Sequence, residues 1–344
     1  MSVVPASLTP VSGSASEVLA LLREWDAATS PDPLVIATSG STGAPKRVVL
    51  SRDAMRASAL ATQDRLGGPG QWVLNLPPTY VAGVQVLYRS VVAGTEPLLE
   101  LAPAAMGRSY VSLVPTQLFR SLQDADQVRL LAGFDAVLVG GGPLAPEVRA
   151  EAEGHGIRVV QTYGMSETCG GCVYDGVPQD GVELRIGDDG EVLVRGPVLF
   201  DGYEGEPERT AAVLRDGWFH TDDLGEIGDD GRLRVTGRRD DMIISGGVKV
   251  PGSAVADLLR SHWIIDDAAV VGVDDDEWGQ RVVAFVVLPE SAYRLNPAQL
   301  QAAQGELDRL FVHRAWAPKE YRTVPALPLL SNGKVDRVAL KDLV

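Results

Sequence analysis

Between residues 34 and 165 short apolar runs alternate with longer segments of helical pattern, and no other feature of the chain constrains its fold as tightly. Residues 34–37, 72–76, 111–114, 136–139 and 157–161 read as buried strands, being apolar and too short for core helices. Helix candidates lie between them, such as residues 51–65, opened by a serine cap at Ser51, and residues 146–153. Strand–helix alternation of this kind predicts an α/β fold built on a mainly parallel sheet with helices on both faces.

The pattern changes after residue 180. Segments 182–186 and 191–195 flank Asp188-Asp189-Gly190, and segments 224–227 and 233–236 flank Asp229-Asp230-Gly231. Asp-Gly between two such runs predicts hairpins, and so a small antiparallel section. A second compact unit begins near Asp241, with a helix at 253–260, strands at 268–273 and 282–288, and a helix at 297–312. The expected organisation is a large N-terminal domain, residues 1–240, and a smaller α+β C-terminal domain, residues 241–344. No internal repeat or low-complexity tract interrupts it.

Chemistry concentrates in a few segments. Thr38-Ser39-Gly40-Ser41-Thr42-Gly43-Ala44-Pro45-Lys46 follows the first apolar run. Glycine lets backbone N–H groups approach an anion, hydroxyls donate to its oxygens and lysine adds charge, so the segment suits phosphate. It is not the GxxxxGK[ST] nucleotide loop, because Pro45 stands where that pattern needs glycine. Gln161-Thr162-Tyr163-Gly164-Met165-Ser166-Glu167-Thr168 directly follows another expected strand. Its aromatic suits a flat base, and Glu167 is a hard oxygen ligand for Mg²⁺. Gly217-Trp218-Phe219-His220-Thr221-Asp222-Asp223 precedes Gly237-Arg238-Arg239-Asp240-Asp241; a carboxylate can take both ribose hydroxyls and an arginine can clamp ribose or phosphate. Leu330-Ser331-Asn332-Gly333-Lys334-Val335-Asp336-Arg337 lies close to the C-terminus. Each piece alone also fits a plain role: a Ser/Gly linker, a solvated loop acid at Glu167, a turn residue at Asp223, a surface ion pair at Arg238, a tail lysine at Lys334.

Charge and cysteine content narrow the partners. With 31 Lys and Arg against 46 Asp and Glu, the net charge of −15 argues against nucleic acid. No apolar run approaches the ~18 residues of a bilayer span, and Met1–Pro10 lacks the basic and apolar parts of a secretory signal. The two cysteines, Cys169 and Cys172, have the spacing of a redox pair or half a zinc site, but the four histidines show no paired spacing. Two reduced thiols in the cytoplasm are the expectation.

Taken in order, these segments resemble the adenylate-forming superfamily of acyl-CoA ligases, adenylation domains and luciferases, over residues 38–337. Segments Ser112-Leu113-Val114-Pro115-Thr116-Gln117-Leu118 and Cys172-Val173-Tyr174-Asp175-Gly176 resemble its o-succinylbenzoate–CoA ligases of menaquinone biosynthesis, particularly the actinobacterial form. One departure is that 37 residues precede Thr38, where most members carry a much longer region; homodimerisation is one way to cover the surface this exposes.

The resemblance implies an AMP-forming ligase that uses ATP, Mg²⁺ and coenzyme A on a small carboxylic acid. It implies that Thr38, Ser39, Gly40, Ser41, Thr42, Gly43 and Lys46 hold the β- and γ-phosphates. Glu167 would bind the metal and Thr168 the α-phosphate. Tyr163 would stack on adenine, with Gly164 beside it, and Thr162 and the Gly140-Gly141-Gly142 turn would line its edge. Asp223 and Arg238 would contact ribose, and Lys334 would bridge the reacting carboxylate and the α-phosphate. Asp240 matches a hinge whose rotation withdraws Lys334 and brings in the Gly246-Gly247 loop; Pro251 and Gly252 depart from the usual pattern after that loop. Tyr80, Gly83, Val84, Gln85 and Thr116 fall where relatives line the acyl pocket. Arg89, on helical spacing from Gln85, is either a partner for a second substrate carboxylate or a solvated or structural arginine. Ligases for another aromatic or short acyl acid, enzymes that load a carrier protein, and an inactive nucleotide-binding relative are the alternatives.

Overall fold

The computed structural model of the chain describes residues 7–38, 46–102, 107–260, 262, 264–289, 292, 299, 302–303, 305–307, 311, 314–329 and 335–344. None of the described helices is long and apolar enough to cross a membrane. The chain divides into two compact bodies, one of Met1–Thr221 with Ile227–Arg234 and one of Asp222–Glu226 with Val235–Val344.

The first body is organised around a six-stranded sheet in the order Gln71–Val73, Ser109–Leu113, Ala136–Val139, Val159–Met165, Gly170–Tyr174, Val177–Pro178. The first four strands run parallel and the last two are added antiparallel. Val111, Leu113, Val137, Val139 and Val159 send their side chains into one apolar cluster under this sheet. As expected, Arg52–Arg65 is a helix, and the Ser51 hydroxyl accepts the Ala54 N–H at 3.3 Å as its N-cap. Pro146–Gly154 is also helical, with proline in its first turn.

One expectation is corrected. The 34–37 run does form a strand, Leu34–Thr38, but it lies outside the parallel sheet. It belongs to a four-stranded sheet, Thr9–Pro10, Leu34–Thr38, Lys46–Leu50, Gly202–Tyr203, and pairs antiparallel with Lys46–Leu50. An apolar run reports burial and not the neighbour it pairs with; here the nearest partner in the chain, Val48-Val49-Leu50, wins. Val81–Ala93 is a further helix, in keeping with the helical spacing of Gln85 and Arg89. Its residues Gly83 through Ser90 are all buried, so it carries no polar face there. Gly94, left-handed at φ 68°, ends it.

The hairpins are as expected. Glu183–Ile186 pairs antiparallel with Glu191–Arg195, and Trp218–Ile227 pairs with Leu233–Arg238. The division between the two bodies runs through the second of these hairpins.

In the second body a five-stranded sheet runs Val248–Pro251, Met242–Ser245, Gly279–Val287, Asp267–Asp275, with Glu320–Thr323 parallel to Gly279–Val287. Helix Gly252–Arg260 places Val255, Ala256 and Leu259 in an apolar cluster with Val270, Val282 and Ala284 of that sheet. Most of the helix expected at 297–312 lies outside the described residues.

Candidate active site

Most of the motif residues of the first body gather beyond the carboxyl ends of the parallel strands, where open α/β sheets bind ligands. Strand Val159–Met165 runs further than the sequence implied. Val159–Gln161 pair parallel with Val137–Val139; Thr162–Met165 then pair antiparallel with Gly170–Tyr174 across a bulge between Tyr163 and Gly164. The first part of the motif is therefore strand itself, and a single 3-10 turn, Ser166–Thr168, closes the hairpin. A Cβ on Gly164 would stand 2.0 Å from the Gly170 carbonyl oxygen, so only glycine allows the two limbs to approach this closely.

Glu167, 8% exposed, sits in that turn. Its backbone carbonyl accepts the Phe200 N–H at 2.9 Å, and its Oε1 accepts the Tyr203 hydroxyl at 2.8 Å. Thr168 is completely buried; its Oγ1 accepts the Met165 N–H at 2.9 Å and donates to the Gly170 carbonyl at 2.7 Å. As the turn is folded here, the Thr168 hydroxyl locks the backbone that carries Glu167. Cys169 follows in the left-handed region at φ 51°. Burial pushes the Cys169 thiol well above its ordinary range and the Cys172 thiol up to about 12; both are free and buried.

Gly140 follows strand Ala136–Val139, and a Cβ there would lie 2.2 Å from Thr162 Oγ1, so the glycine turn and Thr162 are fitted to each other. Gly141, at φ 81°, and Gly142 are exposed beside them. Thr38 and Lys46 are register partners at the mouth of their hairpin, which locates both ends of the phosphate-loop segment; Ser39, Gly40, Ser41, Thr42 and Gly43 lie outside the described residues. Lys46 Nζ stands 5.6 Å from the centre of the Tyr203 ring.

On the acyl side, Tyr80 is the N-cap residue of Val81–Ala93, and a Cβ on Gly83 would be 2.0 Å from the Pro77 carbonyl oxygen, so the helix packs directly on the Pro77-Pro78 backbone. Val84 is buried in the main core cluster and Thr116 is exposed on helix Pro115–Leu122. Gln85, buried, directs Nε2 toward the Met55 carbonyl at 3.5 Å, while its Oε1 has no partner among the described residues. Arg89 is not solvated: at 6% exposure its guanidinium lies 4.9 Å from the Trp72 ring centre and Nη2 donates to the Tyr174 hydroxyl at 3.4 Å.

In the second body Asp223 is buried and accepts Arg238 Nη1 at 2.9 Å, so the two expected ribose residues meet. Gly246 and Gly247, at φ 57° and 78°, form the two-residue turn between Met242–Ser245 and Val248–Pro251. The backbone of Asp240 lies in a 3-10 turn, Arg239–Asp241. Asp241 accepts the Ser253 N–H at 2.7 Å and pairs with Arg337, a contact no local sequence pattern announces. Lys334 lies outside the described residues.

The site suits its expected ligands. No group of three or more His, Cys, Asp or Glu among the described residues could hold a metal by itself. A single buried carboxylate with one oxygen held by a phenol is the protein share expected for Mg²⁺, which draws its other ligands from phosphates and water. The glycine turn offers backbone without side chains beside Thr162.

Residues 13–204 match the family of AMP-binding enzymes, and residues 254–334 match the AMP-binding enzyme C-terminal domain. A protein of Mycobacterium tuberculosis named probable 2-succinylbenzoate–CoA ligase is 43% identical, over 97% of this chain and 90% of its own length. The structure of o-succinylbenzoate CoA synthetase from Bacillus subtilis with its acyl-adenylate intermediate superposes with a TM-score of 0.78 at 27% identity, over 90% of this chain and 69% of that one. The same enzyme with ATP and magnesium ion gives 0.76 at 26% identity, over 90% and 70%.

Proposed function

The chain belongs to the AMP-binding enzyme family, and on that premise we propose that it is an ATP-dependent acid–CoA ligase acting on 2-succinylbenzoate. The observation that carries the substrate is the 43% identity, over 97% of the chain, to a protein named for that activity. In the first half-reaction a substrate carboxylate oxygen attacks the α-phosphorus of ATP; the P–O bond to the β-phosphate breaks and pyrophosphate leaves. In the second, the coenzyme A thiol attacks the acyl carbon, loses its proton and displaces AMP. Adenylation is needed because a carboxylate would otherwise have to expel oxide.

The residues divide this work by chemistry. Thr38, Lys46 and the segment between them are assigned to the β- and γ-phosphates, whose growing charge they offset. Glu167 is assigned to Mg²⁺, which when bound neutralises phosphate charge and orients the leaving group. Thr168, completely buried with its proton given to the Gly170 carbonyl, holds the turn that carries Glu167 and does not face the α-phosphate as folded. Tyr163, with Gly140, Gly141, Gly142 and Thr162 beside it, takes the adenine. Asp223, oriented by Arg238, takes the ribose hydroxyls. Tyr80, Gly83 and Gln85 supply the acyl pocket, the Gln85 Oε1 being a buried polar group without a partner among the described residues. Lys334 bridges the reacting anions during adenylation; Asp240 serves as the hinge and Gly246-Gly247 serve thioester formation. The two free thiols support a cytoplasmic location.

Pyrophosphate release measured with ATP and Mg²⁺ against a panel of acids, with and without coenzyme A, tests this reading. Turnover confined to 2-succinylbenzoate, with CoA thioester formed only when coenzyme A is present, is the expected result. Turnover with another acid alone would overturn the substrate, and none with any acid would overturn the activity.

A further inference from the structure

Glu167 is oriented from outside its own turn. Among the described residues, the side chain hydrogen-bonded to its carboxylate is Tyr203, which is 2% exposed and lies 36 positions later in the chain. Tyr203 is itself held on several sides. It pairs with Val48 in the strand that leaves the phosphate-loop segment, and its N–H donates to Thr210 Oγ1 at 2.9 Å. Thr210 Oγ1 donates in turn to the Glu206 carbonyl at 2.9 Å. Gly202, at φ 148°, leaves no room for a side chain, since a Cβ would meet Thr210 Cγ2 at 2.7 Å. The Tyr203 ring packs edge-on to Phe200 at 5.0 Å, with Lys46 Nζ at 5.6 Å and the Arg209 guanidinium carbon at 5.0 Å from its centre.

Building on the assignment of Glu167 to Mg²⁺, we propose that Tyr203 is the positioning residue of the metal site, fixing the Glu167 carboxylate through Oε1 so that its other oxygen is presented to the metal. The geometry gives it two means. A hydroxyl on Oε1 removes the rotation of a terminal carboxylate that would otherwise have to be frozen on binding. Two cations near the ring draw electron density from the phenol and make its hydroxyl a stronger donor. Because one of those cations is Lys46, the ring also keys the metal acid to the lysine that closes the phosphate-loop segment. A merely structural tyrosine would give its burial to the core without setting the response to metal.

The test uses the full chain and its Tyr203→Phe and Glu167→Gln variants. Phenylalanine keeps the ring and its contacts and removes only the hydroxyl, and circular dichroism melts confirm that each variant is folded. Calorimetric binding of a non-hydrolysable ATP analogue is followed across a Mg²⁺ titration and in EDTA, beside the Mg²⁺ dependence of pyrophosphate release. Tyr203→Phe should need about 10–100-fold more Mg²⁺ in both readouts, the usual scale for loss of a group that orients a metal ligand, with nucleotide binding in EDTA unchanged. A wild-type Mg²⁺ dependence in Tyr203→Phe, with Glu167→Gln shifted, overturns the role of Tyr203 and leaves Glu167 as the metal acid. A wild-type Mg²⁺ dependence in Glu167→Gln overturns that assignment and the proposal with it.

Discussion

Replacing Gly164 by alanine tests whether the close approach of the two limbs around Glu167 matters. The added Cβ would lie 2.0 Å from the Gly170 carbonyl oxygen, 2.7 Å from the Gly170 carbonyl carbon and 2.7 Å from Gly171 Cα. All three are backbone atoms, so no rotamer change can relieve them. To reach ordinary contact at 3.4 Å the limbs must separate by more than an ångström at their pairing point, Gly164 with Gly171. Overpacking of this kind costs about 1–3 kcal/mol, and one or two ladder hydrogen bonds stretched past their range add about 1 kcal/mol each. The sum, about 2–5 kcal/mol, is a large part of a domain's usual stability of about 5–15 kcal/mol. Glu167 and Thr168 ride on the turn between these limbs, and a displacement of about 1 Å at a reacting centre can cost about 10²-fold in rate. The assay pairs urea unfolding with pyrophosphate release, using Gly154→Ala, outside the assigned site, as control, because a Cβ there meets nothing within 4 Å. A Gly164→Ala protein as stable and as active as the control would refute the reasoning.

Three further outcomes are expected. Lys334→Ala should lose about 10²–10³ or more in adenylation rate, the scale for removing one charged transition-state contact, and single-turnover acyl-AMP formation measures it. Cys169 and Cys172, buried and held as neutral thiols, should resist an aqueous thiol reagent in the folded protein and both react once urea unfolds it, as a colorimetric thiol titration will read. Burial raises the Asp257 carboxyl from 3.8 to about 6, against the opposing pull of Arg260. A raised folded value means stability is fully present below the unfolded value and is lost as pH rises through about 6. Asp257→Asn should therefore gain on wild type between pH 4 and 7, on the order of 1 kcal/mol after allowance for its partial exposure, by urea melts at each pH.

Which residues to assign to the proposed chemistry was legible in the chain, because that assignment depends on residue type and local order. A hydroxyl- and glycine-rich segment ending in Lys46, an acid at Glu167 after a strand, and Asp223 ahead of Arg238 announce themselves without a fold. The helix cap at Ser51 and the Asp-Gly hairpins were legible for the same reason, since caps and turns are decided within a few residues. Tertiary structure alone decided the rest. It put Leu34–Thr38 in a sheet of its own, continued strand Val159–Met165 through the motif, and buried Arg89 against Trp72 and Tyr174. It also brought Tyr203 to Glu167, a contact no local pattern could reveal. Periodicity reports how much of a segment is buried, whereas the identity of the neighbour depends on long-range packing, and the orientation of Glu167 is set by such a neighbour.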